Sequence, residues 1–183
     1  FDEPEKIDSK NLEKNITRSR GCHRCPVRCK AELGFDEGKL KGRKAVRPEF
    51  EPMLSLGSRC GLTDLGTLVY LDNLCTRLGM DSISAGGVIA FAMECFEKGV
   101  LTEADTGGRA IPFGDVKAML WLIEEIAHRR GIGAVLALGV KRAAEKIGRG
   151  AERYAFHIKG QELGFHDGRG KTGMALGFAL SPT

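Results

Sequence analysis

No run of eighteen or so apolar residues occurs in the 183-residue chain, so nothing in it reads as a membrane-spanning helix. The opening segment "FDEPEKIDSK" is acidic and polar where a secretory leader would be basic and then apolar, which makes a cytoplasmic protein the simplest expectation. An initiating Met is lacking, and the last residues, "GFALSPT", follow directly on a glycine-rich stretch, so the chain reads as a piece of something longer. Internal repeats and low-complexity tracts are also absent. What is present is globular. A hydrophobic content of 42% with 28% charged residues is enough for one sizeable core, and disorder is not the expectation.

The net charge of +4 is modest, and much of the excess lies in residues 18–47, within "RSRGCHRCPVRCK" and "KLKGRKAVR". Clustered thiolates are anionic, and nearby Arg and Lys offset that charge, so this basic surround requires no nucleic-acid partner. Six cysteines are too unevenly spread for a disulfide-stapled secreted domain: three cluster, and Cys60, Cys75 and Cys95 sit singly among apolar neighbours. Metal ligands plus small core residues is the better reading.

Periodicity predicts a mainly helical fold with a metal-bearing loop at one end. A short helical stretch is expected around Lys10 to Thr17, followed over residues 21–50 by a loop or short hairpin. Leu65, Leu68, Leu71, Cys75 and Leu78 recur at threes and fours, with Thr63 or Asp64 as the N-cap and Gly79 as the stop. "DSISAGGVIAFAMECFEKG" is apolar nearly all round, as a helix packed on several sides would be. A third helix follows from Val116, Leu120, Ile123 and Ile126 behind Asp115, and a fourth from Leu136, Val140, Ala143 and Ile147 ending at Gly148. "RYAFHIKGQEL" suggests one strand and "GFHDGRGKTG" a turn-rich loop. Trp121, on a helix rich in Leu and Ile, is expected in the core or an interface. The expected division is 1–50 for the lead-in and cysteine loop, 51–150 for a helical domain, and 151–183 for the start of the next.

Cys22, Cys25 and Cys29 stand at C-x2-C-x3-C, a spacing that lets soft thiolates converge on one metal from a tight loop. A zinc site would normally be completed by a second nearby pair, yet the next cysteine is Cys60 and no His lies between. A [4Fe-4S] cluster with its fourth ligand elsewhere is preferred; a small zinc-binding interaction module is the alternative of another class.

Taken in order, "GCHRCPVRC", "RPEFEPMLSLGSRCGLTDL", "NLCTRLGMDSISAGGVIAFAMECFEKG" and "HDGRGKTGMALGFALSPT" resemble the tungsten-containing aldehyde:ferredoxin oxidoreductase family. The likeness runs from about Arg20 to the end, and the ordered set is more specific than any one block. It implies a helical domain of that type from a protein roughly three times as long, carrying a [4Fe-4S] cluster and a tungsten (or molybdenum) bis-pterin. It further implies that Cys22, Cys25 and Cys29 supply three cluster ligands, the fourth coming from a downstream segment beyond this chain.

The family's D-x-x-G-L-D pterin motif is matched by "TRLGMD", residues 76–81. Asp81 and the backbone around Met80 carry over, whereas Thr76 replaces the first Asp and leaves that acidic contact in doubt. The residues alone leave open whether Asp81 only caps the following helix. Glu51 matches a glutamate near the tungsten, where a carboxylate could orient or deprotonate water; Glu49 is the bystander. His166, Asp167 or Arg169 suits cofactor phosphates or, equally, a turn held by its own side chains. Some members bind an iron at a dimer interface through an acid and a His; the aligned positions are Tyr70 and Leu120, so that iron is expected to be absent and a homodimer is left open. The implied partners are ferredoxin or another electron-transfer protein, a small aldehyde and the rest of the same polypeptide, with no nucleic acid and no membrane. A benzoyl-CoA reductase-type catalytic subunit on the same scaffold is the closer alternative.

Overall fold

A computed structural model describes residues 3–181 of the chain. Among the described residues, eight α-helices and five short strands make a mainly helical architecture with a small sheet at its N-terminal end. Helix α1 (Ser9–Glu13) starts where the Asp8 carboxylate accepts from Asn11 N at 2.8 Å. The helical stretch expected to reach Thr17 stops early, because Ile16 and Thr17 enter a strand, β1 (Ile16–Arg20). β-branched residues with a cross-strand partner available fit a pleated edge better than a helix turn.

β1 pairs antiparallel with β2 (Lys30–Leu33), and β2 pairs with β3 (Ala45–Val46). Where a loop or short hairpin was expected over residues 21–50, the hairpin begins earlier, at Ile16; residues 21–29 are its tip and carry the three clustered cysteines. Ala31, Glu32 and Leu33 of β2 are all buried although successive side chains point to opposite faces, so this middle strand is covered on both sides.

Helix α2 (Phe50–Leu56) leads into the central pair α3 (Leu65–Arg77) and α4 (Ser82–Glu97). Asp64, rather than Thr63, caps α3, accepting from Thr67 N at 2.7 Å. Leu68, Leu71 and Cys75 of the expected face are fully buried, and beyond the helix end Met80 N reaches back to Cys75 O at 2.9 Å across Gly79, whose φ of +71° suits glycine. α4 is buried from Ala85 to Met93, as its all-round apolar sequence required. Its Gly86 packs onto α2 so closely that a Cβ there would lie 2.5 Å from Ser55 O.

Helix α5 (Val116–His128) begins at Asp115, which accepts from Lys117 N and Ala118 N at 2.7 and 3.0 Å. The single helix expected over Leu136 to Ile147 is two, α6 (Ile132–Leu136) and α7 (Val140–Ile147). The break is at Gly139, φ +83°, where the Glu162 carboxylate accepts from Val140 N at 2.7 Å and would meet a Gly139 Cβ at 2.9 Å. Likewise the one strand expected in "RYAFHIKGQEL" is a hairpin, β4 (His157–Ile158) with β5 (Gln161–Glu162), turning at Lys159 and Gly160, both at positive φ. After the expected turn-rich loop comes α8 (Thr172–Leu180), an apolar helix with no buried residue.

One buried core runs from Ile7 through Leu33 and the helices to Ala151; residues 152–181 add only partly buried side chains at its edge. Cys60, Cys75 and Cys95 are wholly buried within it, and Trp121 packs on its margin with the Arg109 guanidinium 5.3 Å from the ring. Among the described residues no single helix is long and apolar enough to cross a membrane; α3 and α4 pass only together, bent by 114°, and both are packed in the core.

Candidate functional site

Glu51 sits in the first turn of α2 and turns its carboxylate toward the segment that follows β5. Phe165 N donates to Oε2 at 2.7 Å, and His166 Nδ1 meets Oε1. Gly164 makes this approach possible, since a Cβ there would stand 3.2 Å from Oε2. The Phe50 ring, edge-on to the His166 imidazole at 5.4 Å, closes the other side. Glu51 is thereby held at two points by residues 114 and 115 positions away.

The same segment is fixed by Arg59, which donates to Leu163 O at 2.5 Å and stacks over the Phe165 ring at 4.3 Å. Neither Arg59 nor Glu162 was marked by periodicity or motif. Both act through chain segments about a hundred and about twenty residues away, and no local sequence signal reports such contacts.

Glu51 and Asp81 line one cavity of about 360 Å³, together with Ser84, Gln161 and Glu162. Asp81 uses Oδ1 to cap α4, accepting from Ser84 N at 2.7 Å, and so fills the capping role while also facing the cavity. Met80 lines a neighbouring cavity of about 320 Å³ that shares Asp81, Ser84 and Glu162 with the first. Thr76 lines neither; it is exposed on the last turn of α3. The carboxylates and the Gln161 amide match what a buried heterocycle with ring N–H groups requires.

At the hairpin tip, Cys22 and Cys29 are exposed and Cys25 is half-buried. Cys25 N closes a turn onto Cys22 O at 3.1 Å, and Arg24 and Arg28, each just before a cysteine, hold left-handed backbone at φ +57° and +49°. Such turns point successive N–H groups the same way and make concavities suited to anionic clusters. The donor set thus fits a thiolate-bound cluster in chemistry. In geometry it is open: among the described residues no three His, Cys, Asp or Glu side chains converge to hold a metal ion. The hairpin base is joined to the Glu51 helix by Lys30 and Glu49, paired at 2.6 Å, so the bystander acid is a tether. Glu32 takes Arg20 and Lys44.

Cys60, the next cysteine along the chain, is a core residue. Its thiol donates to Ser55 O and Gly86 O at 3.4 and 3.5 Å inside the core, and burial pushes its pKa up to about 12. In the "HDGRG" loop the side chains hold the turn themselves: Arg169 donates to both Asp167 oxygens, and this contact pulls the Asp167 carboxyl down to about 2. His166 is spent on Glu51. Tyr70 lies between Lys39 and Arg77, 5.5 and 5.9 Å from its ring.

A thiol-bearing hairpin tethered to an acid-lined helical cavity is the arrangement these residues make, and comparison with known proteins gives the family to which it belongs. The family model described as "Aldehyde ferredoxin oxidoreductase, domains 2 & 3" matches residues 1–183. The tungsten-containing aldehyde ferredoxin oxidoreductases of Pyrococcus horikoshii and Thermococcus kodakarensis are each 36% identical over 92% of the chain. An aliphatic sulfonate oxidoreductase, WOR-like subunit, of Pyrococcus furiosus is 36% identical over 78% of it. The active site complex BamBC of benzoyl coenzyme A reductase, solved with 1,5-dienoyl-CoA, superposes with a TM-score of 0.73 at 33% identity over 88% of this chain and 24% of that one. The chain belongs to the aldehyde ferredoxin oxidoreductase family. It spans 27% of the length of the two aldehyde oxidoreductases.

Proposed function

We propose that the chain is the cluster- and pterin-facing helical part of an oxidoreductase that converts an aldehyde to a carboxylic acid and hands the electrons to ferredoxin or another electron-transfer protein. The observation that carries this reading is the Glu51 carboxylate, held by Phe165 N and His166 on the wall of the cavity that Asp81 also lines.

Oxidation of an aldehyde adds one oxygen from water and releases two electrons and two protons. A tungsten or molybdenum pterin, when bound, supplies the two-electron redox chemistry. Glu51 orients the water and takes its proton, and His166 on Oε1 keeps the carboxylate aimed. Asp81 and the Met80 backbone would hold the pterin edge. Cys22, Cys25 and Cys29 would hold the cluster at the electron exit, with a fourth ligand from elsewhere in the polypeptide. The Lys30–Glu49 pair keeps the hairpin base beside α2.

The test is metal analysis of the full-length protein purified without air, followed by aldehyde-dependent ferredoxin reduction. About four irons with matching sulfide and one tungsten or molybdenum, with turnover of an aldehyde, is the expected result. About one zinc and neither iron nor tungsten would overturn it and return the small zinc-binding module.

A second reading is favoured by the superposition on the benzoyl coenzyme A reductase complex: reduction of a ring held as a coenzyme A thioester. It predicts oxidation of a dienoyl thioester by the same preparation and no turnover of free aldehydes.

A further inference from the structure

The sheet that carries the cysteine tip differs in charge from the rest of the chain. Residues 14–47 hold eleven Lys and Arg against three Asp and Glu, whereas the remaining residues hold seventeen against twenty-one. Strand register sorts part of this charge onto one face. Arg18 lies opposite Glu32 and Arg20 opposite Lys30, and side chains directly across an antiparallel pair share a face. Leu33 and Ala45, at the alternate positions, belong to the core, while Arg18, Arg20 and Lys44 are exposed, so the charged face is the one turned to solvent.

Glu32 is the one acid in this strand register, and its two oxygens are taken by Arg20 and Lys44, which cover it. Arg18 is left without an ion pair among the described residues, as are Arg24 at the tip and Arg43 before β3, and Arg28 reaches only the Ser19 carbonyl, at 3.4 Å. Arg24 and Arg28 flank cysteines and can offset thiolate charge. Arg43 cannot: Leu33, which pairs with Ala45, is four residues past Cys29, about 13 Å of strand and more than a screening length of about 10 Å. Arg43 and Lys44 also border a groove of about 680 Å³ whose lining holds four cations against one acid, Asp36. The excess therefore runs the length of the sheet and suits an extended anionic surface rather than the thiolates alone.

We propose that this face docks an acidic electron-transfer protein beside the cysteine tip, the partner's carboxylates meeting Arg18, Arg24, Arg28 and Arg43. The inference rests on the proposed reaction, which makes the tip the electron exit; it adds where the carrier binds and what steers it there. Two encounters, each removing one electron, clear the pair released per aldehyde. A carrier must arrive fast and leave again, and exposed opposite charges speed encounter more than they prolong it.

The experiment is surface plasmon resonance of the full-length protein, purified without air, with a bacterial-type ferredoxin of net negative charge. Between about 20 and 300 mM salt the association rate should fall by about tenfold or more, with a smaller change in dissociation. Arg18→Glu with Arg43→Glu, both outside the cysteine loop, should lower it by about tenfold or more at low salt, and Lys141→Glu with Arg142→Glu, on α7, by about twofold or less. Arg18→Gln with Arg43→Gln keeps the test decisive if the reversed pair does not fold. Iron is measured on the same preparation. Iron-free protein would remove the proposed reaction and this inference together, whereas iron-loaded protein whose association ignores salt and the Arg18 and Arg43 changes overturns the inference alone. Tighter binding of duplex DNA or anionic lipid vesicles than of ferredoxin would also overturn it, as would self-association through the same arginines.

Discussion

His166 Nδ1 meets Glu51 Oε1 across 115 positions of sequence, so the acid that α2 contributes is oriented by a loop from the far end of the chain. Phe165 N, on the second oxygen, leaves that carboxylate little freedom to rotate.

Glu51→Gln keeps the side chain's shape and an oxygen for Phe165 N but removes the proton acceptor. In the full-length protein we expect aldehyde turnover to fall by about 100-fold or more, with iron and tungsten content unchanged. Steady-state rates together with metal analysis check this; unchanged turnover would remove Glu51 from the chemistry.

Replacing Cys22, Cys25 or Cys29 by Ser should lower iron and sulfide in the full-length protein, whereas Cys95→Ala should cost stability and leave iron unchanged. Burial raises the Cys60, Cys75 and Cys95 thiols to about 12, so at pH 8 a thiol reagent should modify none of these three until the chain unfolds. Mass mapping of the metal-free chain distinguishes the two sets.

Gly86→Ala would set a methyl 2.5 Å from Ser55 O between two buried helices. A loss of about 2 kcal/mol or more is expected in urea unfolding. Gly79→Ala, with open space around it, should cost less and only through its left-handed backbone.

Asp72 is buried on α3, and burial raises its pKa against a smaller lowering by its hydrogen bond to Ser82. The folded state therefore binds this proton more readily than the unfolded state, and stability falls as pH rises from the unfolded carboxylate range through the folded value. Above both values the penalty is complete. Asp72→Asn should flatten that slope, most visibly in chemical unfolding compared between pH 4 and pH 7.

The helical framework was legible because its signals are local: Asp64, Asp81 and Asp115 cap the helices expected behind them, and apolar spacing picked out Leu68, Leu71 and Cys75 of α3 and Ile123 and Ile126 of α5, which are buried, while Leu65, Val116 and Leu120 are only partly so. The expectations that failed turn on one distant contact and one tight local turn. Gly139 breaks a helix because Glu162 occupies the space a Cβ would need, and the 153–163 stretch folds back on itself at Lys159 and Gly160. In the candidate site, Glu51 and Asp81 were visible through family likeness and do line one cavity, whereas Thr76 lies outside it. His166 was noticed as part of a loop suited to phosphates or to a turn held by its own side chains; its contact with Glu51, 115 positions away, leaves no local signal in the sequence.

Helix α8 is nine residues long and carries no charge; Met174 and Phe178 are half-buried, Phe178 lining the cavity of Glu51 and Asp81, while Leu176 and Leu180 stand 59% and 73% exposed. In a cell, exposed apolar surface of this kind is a feature by which chaperones and proteases recognise incompletely packed protein. The Leu176 and Leu180 face is therefore where quality control would first engage this chain, although the residues from Ile7 to Ala151 share one buried core.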